Sequence, residues 1–187
     1  MLRAFKRVCN YVGEGGADLL ALEPVPLDLS KAVCAACGAK GAMFYHSSYT
    51  RRYIWDEDGQ VNEQLISVDC LRCNSCNRHH ALLPLTVVPY LGYSITFIAR
   101  VIRDWLEGAW PDIGALCRHF KISPKTFWLL RRRFSVCAVL AFGIASPRRG
   151  MEAAASIVLG KGLDAVDEFL FDFFERTGRS FCQCSPA

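Results

Sequence analysis

The sequence predicts an α+β fold: a small β-rich module built around paired cysteines, then a helical region, then a C-terminal amphipathic helix. Three observations predict it. Gln64 to Leu71 alternates Leu65/Ser67/Asp69 against Ile66/Val68/Cys70, the period of two of a strand with unlike faces. Ile95, Ile98, Val101, Ile102 and Trp105 recur at helical steps, and so do Leu163, Val166, Phe169, Leu170, Phe173 and Phe174. Two Cys-x-x-Cys pairs bracket the strand-like stretch. With 52% hydrophobic and 21% charged residues, the chain has ample material for a core, which excludes a globally disordered protein.

Four zones follow in order. Residues 1–30 form a weakly patterned leader, in which Pro24 and Pro26 favour an extended approach to the next module. Residues 31–90 carry the cysteine pairs, with strands expected at Tyr49–Trp55 and Gln64–Leu71 and an Asp56-Glu57-Asp58-Gly59 hairpin turn between them. Ala81 to Val88 suggests a further short strand, placed at an edge because Pro84 interrupts it. Residues 94–146 read as helical: Ser94 caps Ile95–Glu107, Gly108 follows its end, and Trp110-Pro111-Asp112 starts a second helix with Ile113, Leu116, Cys117 and Phe120 inward. Ser123-Pro124 opens a third helix, since proline lacks only an N–H that the first turn leaves unused. Residues 151–187 hold the acidic amphipathic helix and a tail.

Ten cysteines call for a chemical reason. The basic start, Met1 to Asn10, runs into Gly13, Glu14, Gly15, Gly16 and Asp18 instead of the apolar run of an export signal. The longest apolar stretch, residues 134–146, is well short of the roughly 20 residues a membrane span needs. The expectation is a soluble, cytoplasmic protein with no membrane partner, in a reducing compartment where paired cysteines read as metal ligands before disulfides. Cys34 and Cys37 are followed by Gly38, and Cys73 and Cys76 by Asn77. Two residues between cysteines let both sulfurs of a tight turn reach one tetrahedral zinc ion at about 2.3 Å. The residue after such a turn often takes positive φ, which glycine tolerates freely and asparagine better than most. Cys34, Cys37, Cys73 and Cys76 are therefore the expected ligands of a structural Zn²⁺, with Cys70, His79 and His80 as open substitutes and a redox role as a further alternative. Cys70 sits on the expected strand as an inward thiol; Cys9, Cys117, Cys137, Cys182 and Cys184 read as buried or tail thiols.

The third helix carries the charge signal. From Arg118 to Phe134 there are Arg118, Lys121, Lys125, Arg131, Arg132 and Arg133, and no acid. A short helix, a three- or four-residue turn and a second helix opened by Ser-Pro match a helix-turn-helix, whose second helix enters the DNA major groove. Phe127, Leu130 and Phe134 share the core stripe, leaving Lys125, Thr126, Trp128, Leu129 and Arg132 toward the groove and Arg131 and Arg133 toward phosphates. Lys121 occupies a turn position where glycine is common, at a cost of about 1–2 kcal/mol if its φ is positive. A solvated basic helix in an ordinary core is the competing reading. Trp128 and Leu129 could also pack on the zinc module or another subunit.

The stretch from Cys73 to Pro84, with Val88-Pro89-Tyr90 and Tyr93-Ser94, resembles an uncharacterised bacterial family that joins a zinc ribbon to a helix-turn-helix; Cys34-Ala-Ala-Cys37-Gly38 and Tyr49 to Tyr53 fit it as well. Similar modules stand at the front of some insertion-sequence transposases. The resemblance covers roughly residues 30–135 and implies DNA recognition tied to mobile elements or to transcription regulation. It also implies zinc ligation by the four cysteines and a structural role for His80. Asn77, where glycine is commoner, and Cys70 depart from the pattern.

The 37 residues after position 150 are too few for a nuclease fold, so a complete transposase is not expected. In the C-terminal helix the stripe over 163–174 reads as core packing or as a homodimer or assembly face, with Asp164, Asp167, Glu168, Asp172 and Glu175 on the remaining surface. The leading expectation is a zinc-dependent, non-catalytic DNA-binding protein. A protein-interaction adaptor is the alternative, and RNA remains open as the nucleic acid. An enzyme is disfavoured, because four sulfurs leave zinc no open position for water. Asp56, Glu57 and Asp58 also read as a solvated turn.

Overall fold

The computed structural model describes residues 2–3, 19–20, 28–34, 36–57, 59–83, 86–160 and 163–183. The fold is α+β. Five strands, β1 (Leu2–Arg3), β2 (Leu19–Leu20), β3 (Met43–Glu57), β4 (Gln60–Cys73) and β5 (His79–Leu83), precede five helices. These are α1 (Ile95–Glu107), α2 (Ile113–His119), α3 (Pro124–Phe142), α4 (Pro147–Gly160) and α5 (Leu163–Thr177). Two compact units form: Met1–Tyr53 with Glu63–Val87, and Ile54–Asn62 with Val88–Ala187. Most of the leader, Cys9, Asp58, Pro84 and Cys184 lie outside the described residues.

In the first unit β4 is the spine. It pairs with β3 through the hairpin and runs antiparallel to β5, with Cys70, Leu71 and Arg72 opposite Ala81, His80 and His79. The short β2 lies parallel to β4 and β1 parallel to β5. The hairpin strands are longer than Tyr49–Trp55 and Gln64–Leu71, and the third strand is His79–Leu83 instead of Ala81–Val88. Local alternation marks where a strand is amphipathic; it is silent where both faces are exposed, as over residues 45–50. The expected alternation holds at Ile66 and Val68, both buried, but the buried positions then move to Leu71 and Cys73. Cys70 is left half-buried, and burial, then the Asp69 charge, push its thiol pKa up. Beside the cysteines, Ala32, Cys34, Met43, Leu71, Cys73 and Leu82 form a small buried cluster, with Leu29, Ala39, Ala42 and Cys76 packed against it.

The second unit takes the hairpin tip as well as the helices. Asp56, expected in a solvated turn, lies in β3 with its side chain 3% exposed, and Arg100 Nε of α1 donates to its Oδ1 at 3.1 Å. Ile54 N–H donates to Gly92 C=O, and Ser94 N–H donates to Ile54 C=O, tying the tip to the start of α1. The Asp56 correction has a simple cause, because a charge run reads as solvated until a distant cation is packed over it.

The helix ends follow the sequence signals. Ser94 accepts from Phe97 N–H at 3.0 Å to open α1, and Gly108 at φ +67 closes it. Asp112 accepts from Ala115 N–H at 2.7 Å to open α2. α2 packs on α1 and α3, α4 lies across α1 and α3, and α5 packs on α4. No separate helix was expected at α4. Its Gly150 is buried where a Cβ would meet the Ala138 backbone at 3.4 Å, so a residue without a side chain lets α3 and α4 approach. Val166, Leu170 and Phe173 of α5 are buried, Phe169 stacks on Phe142, and Phe181 packs against Phe134, Phe169 and Phe173. The α5 stripe is thus used within its own unit. Among the described residues, no helix is long and apolar enough to cross a membrane.

Candidate functional site

Each cysteine pair sits on a tight backbone turn. Gly38 N–H donates to Cys34 C=O at 2.8 Å and Asn77 N–H to Cys73 C=O at 2.9 Å, while Gly38 and Asn77 adopt φ +74 and +59. The left-handed residue after each turn is what the Gly38/Asn77 pairing anticipates, and at Asn77 an L side chain accepts that conformation. Arg72 Nη2 donates to Asn77 Oδ1 at 3.0 Å and steadies it. Asn74 N–H donates to Ala42 C=O at 2.8 Å, fastening the second turn to the segment that follows the first. Residues 36 positions apart in the chain are brought together by the β3–β4 hairpin.

The four sulfurs of Cys34, Cys37, Cys73 and Cys76 lie within 4.8 Å of one another. Cys34 Sγ is 3.7 Å from Cys76 Sγ, and Cys37 Sγ is 3.7 Å from Cys73 Sγ. A tetrahedral metal with arms of about 2.3 Å requires sulfur–sulfur edges of about 3.8 Å, whereas a disulfide would need about 2.05 Å. The arrangement fits a closed four-sulfur metal site. Cys70 is not in the group. His80 is not either: it is buried opposite Leu71, with Nε2 3.3 Å from Cys34 Sγ, as a neighbour to one of the clustered sulfurs. His79 instead meets His46 edge-on at 4.7 Å.

The site favours thiolate at the first cysteine of each turn. Burial pushes the Cys34 thiol up, but the N–H groups of Ala36 and Cys37 and hydrogen bonds with Cys37 and Cys76 together bring it down from 9.0 to about 6. Cys73 is lowered too: burial again opposes, and the N–H groups of Cys76 and Ser75 prevail. At Cys37 the Ala39 N–H lowers the pKa, yet Cys76, burial, Cys34 and Cys73 outweigh it and push the thiol up to about 12. Negative charge concentrated among convergent sulfurs is what a divalent cation relieves.

In the second unit, α2 ends in a paired hydrogen-bond closure, with Ile122 N–H donating to Cys117 C=O at 3.0 Å and Lys121 N–H to Arg118 C=O at 3.3 Å. Lys121 takes φ +52, the left-handed conformation usually given to glycine at this position. Ser123 then accepts from Thr126 N–H at 3.0 Å, with Pro124 at the start of α3. The Thr126 hydroxyl lies 2.9 Å from Ser123 Oγ and serves the cap. Phe127, Leu130 and Phe134 are fully buried, as their stripe requires.

Arg118, Lys121, Lys125, Trp128 and Arg132 are exposed, while Thr126, Arg131 and Arg133 are partly buried. The Arg131 guanidinium lies 4.7 Å from the Trp105 ring centroid and 5.3 Å from that of Trp128, and its Nε is buried with no hydrogen-bond partner. Its visible role is cation–π packing between α1 and α3. The Asp56–Arg100 pair and the Arg131–Trp105 contact were both outside the reach of local sequence signals, since each joins separate elements of the chain.

Residues 34–118 match a family described as a domain of unknown function, DUF6431. The match opens on the first cysteine of the metal-type cluster and ends within α2. No curated protein and no solved structure matches the chain.

Proposed function

We propose that this chain is a zinc-dependent, non-catalytic protein that binds duplex DNA through α2, the Lys121 turn and α3 as a helix-turn-helix. The observation that carries the reading is the exposure of Arg118, Lys121, Lys125 and Arg132, within a stretch from Arg118 to Phe134 that holds no acid, on the short α2, its capped turn and the start of the longer α3. Phosphate oxygens are the natural partner of such a face, and a helix opened by Ser-Pro at an exposed end can enter a major groove.

In this reading Cys34, Cys37, Cys73 and Cys76 hold zinc as a structural tie for the ribbon. Zinc supplies folding energy there, because the apolar cluster described beside it is small. Four sulfur ligands leave no position for an activated water, which supports a binding role over hydrolysis. Mobile-element accessory function and transcription regulation both remain within this class. The adaptor reading keeps one supporting observation, the exposure of Val136 and Leu140 at 45% and 50% farther along α3.

The test is fluorescence anisotropy with mixed-sequence duplexes at two salt concentrations, comparing wild type with the double variant Lys125→Ala/Arg132→Ala. Affinity should fall steeply with salt, and the variant should lose about 1.8 from the log–log salt slope, at about 0.9 per phosphate contact. Binding that is the same for both proteins and insensitive to salt would reject the proposal.

A further inference from the structure

The outward side of α3 has an unusual composition. Lys125, Trp128, Leu129 and Arg132 stand at steps of three, four and seven, so they form one contiguous patch on the helix. Two cations bracket two large apolar side chains, and Trp128 and Leu129 are 46% and 40% exposed. A solvated helix face gains nothing from an indole and an isobutyl group in its centre. Nor is the indole loosely held: Phe127 meets it edge-on at 5.0 Å and the Arg131 guanidinium lies 5.3 Å from its centroid. Arg131 is in turn clamped by Trp105, so the ring is oriented before any partner arrives.

The major groove presents few apolar features to such a patch. Its edges are donors and acceptors, apart from the C5-methyl group of thymine and of 5-methylcytosine. Cations on both sides of an apolar pair match a methyl flanked by phosphates and guanine acceptors. Resting on the duplex-DNA reading above, we infer that Trp128 and Leu129 recognise pyrimidine C5-methyl groups, so that the sites bound carry methylated pyrimidines beneath the first turns of α3. Lys125 and Arg132 supply the charge contacts around them. Arg131 acts as a positioning residue for Trp128.

The experiment selects duplexes from a random pool with the full zinc-loaded chain at low salt, in an unmodified pool and in a pool with cytosine methylated at C5. The best duplexes are then remade with deoxyuridine replacing thymine, or with cytosine replacing 5-methylcytosine. Affinity should fall about 4-fold for each contacted methyl removed. Loss on the uracil exchange assigns the contact to thymine, and loss only on demethylation assigns it to 5-methylcytosine. The discrimination should disappear in Trp128→Ala and shrink in Leu129→Ala, while Arg132→Ala weakens all duplexes alike. Salt-sensitive DNA binding that is indifferent to both exchanges, or discrimination that survives both apolar variants, overturns this inference and leaves the helix-turn-helix reading standing. No DNA binding at low salt overturns both.

Discussion

Lys121 offers a perturbation in which stability and binding should move in opposite directions. The residue sits at φ +52 just past α2, fixed by the Ile122-to-Cys117 and Lys121-to-Arg118 backbone hydrogen bonds. A left-handed conformation costs an L residue about 1–2 kcal/mol, and glycine avoids that strain while losing about 0.5–1 kcal/mol more chain entropy on folding. Lys121→Gly should therefore stabilise the helical unit by about 1 kcal/mol, a rise of about 3–6 °C in Tm by far-UV circular dichroism. The same change removes an exposed cation, so the salt dependence of DNA binding should lessen by about 0.9 in log–log slope. Lys121→Ala separates the two effects: it removes the charge and keeps the strain, so binding should fall without the gain in Tm. A glycine variant no more stable than the alanine variant would refute the strain argument. Unchanged DNA binding in both would remove Lys121 from the interface.

Three further outcomes follow from the two units. The purified chain should contain about one zinc per molecule by emission spectroscopy, and Cys73→Ser or a strong chelator should abolish hydrogen-exchange protection in β4 and β5 near the cysteines while α1 and α3 stay protected; intact protection without metal would count against the metal tie. On the zinc reading, the metal displaces protons from the thiols, above all from Cys37, whose pKa is pushed up to about 12, so apparent affinity should fall as pH is lowered and binding should release protons in calorimetry across buffers. Asp56→Ala should destabilise the helical unit by about 3 kcal/mol in urea unfolding, since it leaves the part-buried Arg100 without its carboxylate; a change below about 0.5 kcal/mol would show that the pair contributes little.

The sequence by itself determined features whose physics is local. The Ser94 and Ser123 caps, the Gly108 stop and the left-handed slots at Gly38, Asn77 and Lys121 each depend on a few adjacent residues, and all are read from neighbours in the chain. The cysteine quartet was legible as well, because metal geometry restricts ligand spacing more tightly than packing restricts core residues. Tertiary structure alone decided the rest. It excluded Cys70 and placed His80 against Cys34, since strand register chooses which side chains share a face. It buried Asp56 under Arg100, clamped Arg131 between two tryptophans and brought Gly150 against α3. Each of these depends on which other element packs against the residue, and periodicity within one element carries no information about which partner will cover it.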